Sequence, residues 1–491
     1  MSTAEKVAKG SIGVGLGEVI EKGSMFLRNL VLARMLTPAD FGLGSAFITT
    51  YLLFLMISSF STSQYIVQSD SGDDQDLQNS VHTVELLRGI FSSLAIYFSA
   101  GLVASLFGVP ETKWAFQALA LIPLMLGVVH TDIYRFQRQM KFSPSIVTAV
   151  VSDLASLAAA YPAALYYGNY TACLVCLLIK IVTYLVLSHL QAQRKYKLGF
   201  SPVHLKDLWF FGWPLLLNGG LIFLTLQGDK MIVGSGKQLF ESSIFTLADL
   251  GAFSVAFSFT WIPTLMVIKV ITKVILPYLA NVKDNPKVLS LRLISFFPFV
   301  GIYSVGILVV FMMGGGIIVS LFCGKEYLAD KYLIIWLAAA NAVRVFRSLT
   351  GLCLLAIGDT KNYLNCNIIR GTAFLATLVV SSCGLYLNWI GFSIFMAELL
   401  SLIFSMFVVS NKHKISVKGS FPYLALVGVL IPLLILVNHF LNPFDGMLII
   451  RVLISMTVMG SVSIRIILLM GETYRKNLMQ LFRNMRNDSR I

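Results

Sequence analysis

The chain has 491 residues, 57% of them hydrophobic and only 13% charged, with a mean hydropathy of +0.79. A soluble domain carries about 25% charged residues, so this composition excludes a soluble globular protein and points to repeated crossing of a lipid bilayer. The net charge of +14 does not imply a nucleic-acid partner, because the basic residues are scattered in short loops between apolar runs, the arrangement that orients membrane proteins.

Apolar runs of about 20 residues, enough to cross a ~30 Å hydrocarbon core, recur along the whole length. They predict an all-α integral membrane protein with about fourteen transmembrane helices, since strands would show shorter alternating segments. In chain order the expected spans are 11–34, 41–63, 83–107, 114–134, 145–167, 170–192, 211–234, 248–274, 290–313, 332–357, 363–386, 389–410, 421–440 and 447–470. With the N-terminus inside, twenty-one loop and tail lysines and arginines fall on the cytoplasmic side against six on the other, and an even number of spans puts both termini in the cytoplasm. No cleavable signal peptide is expected, because the first apolar run is long, charged and without a small-residue cleavage site close behind it. The six cysteines lie in or beside apolar runs; Cys173 and Cys176 form a CxxC, but inside a spanning helix, where they read as small packing residues.

One short polar sentence occurs twice. Residues 37–42 read TPADFG and residues 246–251 read TLADLG, an offset of 209. The shared residues are Thr37, Ala39, Asp40 and Gly42 in the first copy and Thr246, Ala248, Asp249 and Gly251 in the second, with an apolar residue before each glycine. Each copy joins the first and second helices of a six-helix set. Thr37, Pro38 and Asp40 have the chemistry of a helix start: a capping hydroxyl, proline early in the helix and an acid in the first turn. Gly42 and Gly251 suit close helix approach. An even number of helices per repeat implies parallel repeats about an axis along the membrane normal, an arrangement common in transporters. The expected division is an N-lobe over 1–192, a basic cytoplasmic linker over 193–210, a C-lobe over 211–411, and two further helices with a basic cytoplasmic tail over 412–491.

Ionisable residues within spans are costly, about 2.5–3.5 kcal/mol each, and by default face a cavity or a partner. Helix one carries Glu18, Glu21, Lys22 and Arg28; Glu18 with Lys22, and Glu21 with Arg28, share faces suited to pairing. Deeper in the chain come Asp153, Lys180, Lys269, Lys273, Arg344, Arg347, Arg370, Glu398, Arg451 and Arg465. Lys273, Arg370 and Arg465 lie near helix ends and read as snorkelling to the interface. Asp153, Glu398 and Glu18 are the candidates for coupling transport to H+ or Na+. No resident cofactor or metal is expected, and no GxxxxGK[ST] phosphate loop occurs.

Six plus six plus two spans, with LARMLTPADFG after the first, QNSVHTVELLRG at 78–89 and LLAIGDTK at 354–361, resemble the polysaccharide transporters of the multidrug/oligosaccharidyl-lipid/polysaccharide exporter superfamily. The resemblance covers essentially the whole chain. It implies a non-enzymatic flippase of the bacterial cytoplasmic membrane that moves undecaprenyl-diphosphate-linked oligosaccharide, a unit of O-antigen, capsule or exopolysaccharide, from inner to outer leaflet by alternating access. The expected partners are that glycolipid, membrane lipids and a polysaccharide polymerase, and the expected state is a monomer. A diphosphate cargo suits arginine forks, which makes Arg28, Lys22, Lys180, Lys269, Arg344 and Arg347 the candidate lining of a cationic cavity. The alternatives are a multidrug efflux antiporter, for which the excess of basic over acidic intramembrane residues is a poor fit, and a peptidoglycan-precursor flippase, which shares the same physics. A membrane glycosyltransferase or polymerase would need a longer extramembrane loop than any here.

Overall fold

The computed structural model describes residues 3–328, 330–440, 457–462, 464–466, 468 and 471. Among them the regular elements are all helical. In order they are α1 (Thr3–Met35), α2 (Pro38–Ile57), α3 (Thr62–Gln68), α4 (Gln75–Leu106), α5 (Lys113–Ala118), α6 (Leu121–Gly127), α7 (Asp132–Arg138), α8 (Ser143–Tyr167), α9 (Thr171–Leu190), α10 (Pro202–Leu239), α11 (Leu247–Ala280), α12 (Pro286–Ile294), α13 (Phe297–Phe322), α14 (Lys331–Ala356), α15 (Thr360–Ser382), α16 (Asn388–Phe407) and α17 (Phe421–Phe440). Ten helical segments among the described residues are long and apolar enough to cross a membrane, or eleven when one bent pair counts as a single span. The protein is therefore a multi-pass helical membrane protein. α1 is outside those ten, and it carries Glu18, Glu21, Lys22 and Arg28 within three turns. The fourteenth expected span, 447–470, lies largely outside the described residues, as does Arg451.

Two expected spans are broken. The run 114–134 is a bent pair, Pro110–Gly127 followed by α7, with a 50° change of direction. The backbone released at the bend is satisfied by side chains: Ser188 accepts from the His130 amide at 3.1 Å, His82 accepts from the Thr131 amide at 3.2 Å, and His189 bonds the Val128 carbonyl at 2.9 Å. A hydropathy window registers apolarity and cannot see such a break. The run 41–63 likewise ends early. α2 stops at Ile57, Ser58 bonds back to the Phe54 carbonyl at 2.6 Å, and Ser61 takes the left-handed conformation with φ +51° before α3 begins.

By backbone packing the chain forms two units. Unit 1 comprises Met1–Val255, Phe322–Ala329 and Thr377–Leu385; unit 2 comprises Ala256–Leu321, Asp330–Ala376 and Tyr386–Ile491. Unit 1 thus includes the opening of the second repeat through Val255, all of α10 among it, and two short stretches further on.

Both copies of the repeated motif belong to unit 1, and they pack on each other. In the first copy the Thr37 hydroxyl accepts from the Asp40 amide at 3.2 Å, and the Asp40 carboxylate accepts from the Tyr170 amide at 3.1 Å. In the second, Thr246 and Asp249 cap reciprocally, with N···O distances of 3.3 and 2.9 Å, the geometry of a capping box. A Cβ placed on Gly42 would lie 1.9 Å from the Leu247 carbonyl oxygen, and one on Gly251 would lie 2.0 Å from the Pro38 carbonyl oxygen. Pro38 and Leu247 are equivalent in the repeat, so the contact is reciprocal, as expected where two equivalent surfaces meet about a two-fold axis. Nearby in the same unit, the Tyr327 hydroxyl donates to the Leu36 carbonyl at 3.1 Å.

Candidate functional site

In unit 2, α14 is almost wholly buried, and a span enclosed by protein tolerates polar residues that lipid would not. Arg344 and Arg347, three residues apart, project from one face of α14 toward α16, its main packing partner, where Glu398 sits. The Arg344 and Arg347 Nε atoms donate to Glu398 at 2.6 and 2.8 Å, and Arg370 of α15 donates to it at 2.8 Å. Glu398 is only 2% exposed. Asn341 and Asn367 accept further bonds from Arg344 and Arg370 at 3.0 and 3.1 Å. The Arg344 guanidinium also lies over the Trp261 ring, 4.6 Å from its centre, a cation–π contact. Three guanidiniums against one carboxylate leave a net charge of +2 in the cluster. Among the described residues, the two Nη atoms of Arg347 have no hydrogen-bond partner.

Unit 1 holds a second, smaller set. Lys180 of α9 bonds both oxygens of Asp153 on α8 at 2.8 and 2.9 Å, so Asp153 is not a lone carboxylate. Arg28, 5% exposed, donates to the Ser156 hydroxyl at 3.3 Å and to Asn29. The Ser156 hydroxyl donates onward to the Cys176 carbonyl at 2.8 Å. That bond ties α8 to α9, as polar side chains do between packed membrane helices. All six cysteines are unpaired, and five are buried.

The structure brings together Arg344, Arg347 and Glu398, and separately Lys180 and Asp153. Several expected pairings differ. Lys22 bonds its neighbour Glu21 rather than Glu18, and Arg28 turns to Ser156 and Asn29 rather than to Glu21. Arg370 does not snorkel; it is the third guanidinium on Glu398. Glu18 and Lys269 are half-buried on α1 and α11, Lys273 is exposed on α11, and Arg465 is exposed.

Four charged residues were missed. Glu85 and Arg88 of α4 form a partly buried pair, signalled by opposite charges three residues apart inside an apolar run. Asp229 of α10 accepts from Thr377 at 2.8 Å. Asp132 is fully buried and accepts from the Gln193 and Arg194 amides at 2.8 and 3.2 Å and from Arg135. Arg135, one residue beyond the expected span 114–134, is thereby a buried structural partner. Among the described residues no group of three His, Cys, Asp or Glu is placed to hold a metal.

A multi-pass helical chain with internal repeats and buried, net-basic charge clusters has the construction of a membrane transporter. The fold agrees. The chain is similar to the lipid II flippase MurJ in its inward closed conformation (TM-score 0.67, 15% identity, 96% of this chain and 100% of that one). It is also similar to an inward-facing multidrug resistance MATE family transporter of the MOP superfamily (TM-score 0.60, 14% identity, 81% of this chain and 96% of that one). Residues 31–331 match the family described as polysaccharide biosynthesis protein, and the chain belongs to that family. Among curated relatives, the succinoglycan biosynthesis transport protein ExoT of Rhizobium meliloti (strain 1021) is 26% identical over 262 residues, 52% of this chain and 50% of ExoT. The lipopolysaccharide biosynthesis protein WzxC of Escherichia coli (strain K12) is 19% identical over 415 residues, 83% of this chain and 82% of WzxC. The teichuronic acid biosynthesis protein TuaB of Bacillus subtilis (strain 168) is 20% identical over 307 residues, 60% of this chain and 59% of TuaB. The match thus spans about half the length of ExoT.

Proposed function

We propose that this protein flips a polyprenyl-diphosphate-linked oligosaccharide from the inner to the outer leaflet of a bacterial cytoplasmic membrane by alternating access, with both termini in the cytoplasm. The observation that carries the reading is the Arg344–Arg347–Arg370 cluster on Glu398. Its net positive charge, with Arg347 Nη atoms that bond none of the described residues, suits a diphosphate, which planar guanidinium forks bind bidentately. A cationic drug would find repulsion there. Glu398 is the standing counter-ion of three arginines, and Asp153 that of Lys180, so a role in ion coupling for either requires its basic partner to be drawn away by the cargo. The membrane potential supplies drive of its own. Each negative charge moved outward gains about 2.3 kcal/mol per 100 mV, which leaves resetting of the empty carrier as the step for H+ or Na+.

The test is deletion of the gene in its host, followed by extraction of polyprenyl-linked glycans and assignment of their leaflet. The expected result is accumulation at the cytoplasmic face with loss of surface polysaccharide, not restored by Arg347→Ala. Normal surface polysaccharide in the deletion strain would overturn the reading.

A further inference from the structure

Both broken spans of unit 1 meet at one place. A cavity of about 340 Å³ lies where the break between α2 and α3 faces the bend between α6 and α7, with α4 and α9 closing its sides. Non-helical backbone at membrane depth is tolerated where it is buried in protein or lines a cavity, and discontinuous helices are the usual makers of transporter binding sites. Two interruptions converging on one hollow are therefore more than packing faults.

The lining is chemically specific. The hydroxyls of Ser59, Ser61, Thr62 and Ser63 come from the first break, and Thr131 from the second. Tyr134 and Tyr184 add two phenols, while Leu55, Met56, Leu126 and Val129 supply apolar wall. Glu85 and Arg88 bond each other on the α4 side, and Thr62 donates to Glu85. The buried Arg88 Nε has no hydrogen-bond partner among the described residues, although buried donors are normally satisfied. Ser61, at the rim of the break, holds its left-handed conformation without glycine, a feature that gathers at functional sites.

This inventory discriminates between ligands. A phosphate would want uncompensated positive charge, and here the arginine is already matched by a carboxylate. A drug-like cation would want free acid and more aromatic surface. A sugar ring presents hydroxyls that both donate and accept, around faces of C–H. Serine, threonine and tyrosine hydroxyls flanked by a Glu–Arg pair and aliphatic wall complement that pattern. The volume sits at the small end of the ~300–1,000 Å³ range of ligand pockets, which suits a single ring rather than a whole repeat unit.

We propose that this cavity is a sugar subsite that receives the terminal ring of the glycan, on the side that the basic loops assign to the cytoplasm. The proposal rests on the flippase reading for the identity of the cargo. It separates two tasks: the arginine cluster of unit 2 takes the diphosphate common to all such lipids, and the unit 1 cavity reads the sugar that differs between them.

The test uses the full-length protein in proteoliposomes with two photoreactive probes. Each is an undecaprenyl-diphosphate-linked trisaccharide, with a diazirine on the terminal sugar in one and on the first prenyl unit in the other. The terminal-sugar probe is expected to label peptides spanning 55–63 and 126–134, and the prenyl probe is not. Ser63→Ala and Tyr184→Phe each remove a lining hydroxyl with little change of shape. Each is expected to lower that labelling about fivefold, the effect of one lost hydrogen bond, with the melting temperature unchanged. Labelling of the cavity by the prenyl probe, or equal labelling of wild type and both variants, would overturn the proposal. Translocation of the same probes is scored in the same vesicles. Translocation without cavity labelling removes the subsite alone, whereas cavity labelling without translocation removes the flippase reading and keeps the sugar site.

Discussion

Gly42 and Gly251 touch backbone to backbone, each occupying the position that the repeat assigns to the other. A Cβ on Gly42 would meet the carbonyl of Leu247 and one on Gly251 that of Pro38, both at 2.0 Å or less. Carbonyls held in helical first turns cannot yield as a side-chain tip can, so alanine at either position must force α2 and α11 apart. Overpacking of this kind costs about 1–3 kcal/mol. Gly42→Ala and Gly251→Ala should each lower the thermal midpoint of the purified protein. The double variant should lose less than the sum, because one separation relieves both clashes. A fully additive loss would show that the two glycines do not share a contact.

The buried cluster on Glu398 yields a prediction in which a second mutation repairs the first. Glu398→Gln keeps the side chain's shape but strands three guanidiniums, and breaking a buried ion pair in this way costs about 3–5 kcal/mol. Adding Arg370→Gln removes one of the stranded charges. The double variant should therefore melt at a higher temperature than Glu398→Gln alone, as read by fluorescence-detected gel filtration after heating. If Arg370→Gln makes Glu398→Gln worse, the three arginines are not held together by that carboxylate.

The helices were legible in the sequence because apolar length is written there directly: the expected spans 83–107, 145–167 and 170–192 fall on α4, α8 and α9. The helix-start chemistry of Thr37 and Asp40 was legible for the same reason, since capping is local. What the chain could not show was where helices break and which charges meet. The bend after Gly127 is stabilised by His82, Ser188 and His189, residues distant in sequence that supply the missing backbone partners. Spacing along α1 brought Lys22 toward Glu18, yet long flexible side chains reach adjacent residues as easily as those one turn away, and Glu21 takes it. Arg370 read as a snorkelling end because the sequence gives depth along one helix and not the neighbour that faces it.

Outside the spans, Asp359 makes pH a usable probe. It stands between α14 and α15 and accepts from Lys412 at 2.8 Å, from the Asn362 side chain at 2.7 Å, and pairs with His413 at 2.6 Å. Burial alone would raise this carboxyl, but the hydrogen bonds from Lys412, Asn362 and His413 outweigh it and hold the group well below the usual carboxylate range. A carboxyl depressed in the folded state stabilises above its unfolded value, about 3.9, and that stabilisation is lost as the pH falls through the folded value. Asp359→Asn should thus lower the melting temperature at pH 7 and by no less at pH 5. The gap to wild type should narrow only below about pH 4. A gap that already closes between pH 7 and pH 5 would mean the carboxylate is not held down by these partners.

The basic segment after α9 is clamped by the same kind of chemistry, and trypsin can report on it. Asp132 takes the amides of Gln193 and Arg194. His130 bonds the Arg194 carbonyl at 2.9 Å, His82 bonds the Lys197 carbonyl at 3.0 Å, and the Tyr196 ring stacks on His82 with centres 4.2 Å apart. Arg194 itself reaches Gln78 and the Asp73 carbonyl at 3.0 and 2.7 Å. Cleavage at Arg194, Lys195 or Lys197 requires this segment to lift away from every one of those contacts. Asp132→Asn removes the charge that strengthens two of the amide bonds and the Arg135 pair. Hydrogen bonds to a charged group contribute about 1.5–3 kcal/mol, so local opening should become at least about tenfold more frequent. Limited proteolysis in detergent should show that acceleration at 194–197, while cleavage at the exposed Lys283 and Lys287 stays unchanged. Equal acceleration at both places would indicate general unfolding, and none at 194–197 would show that Asp132 does not hold the segment.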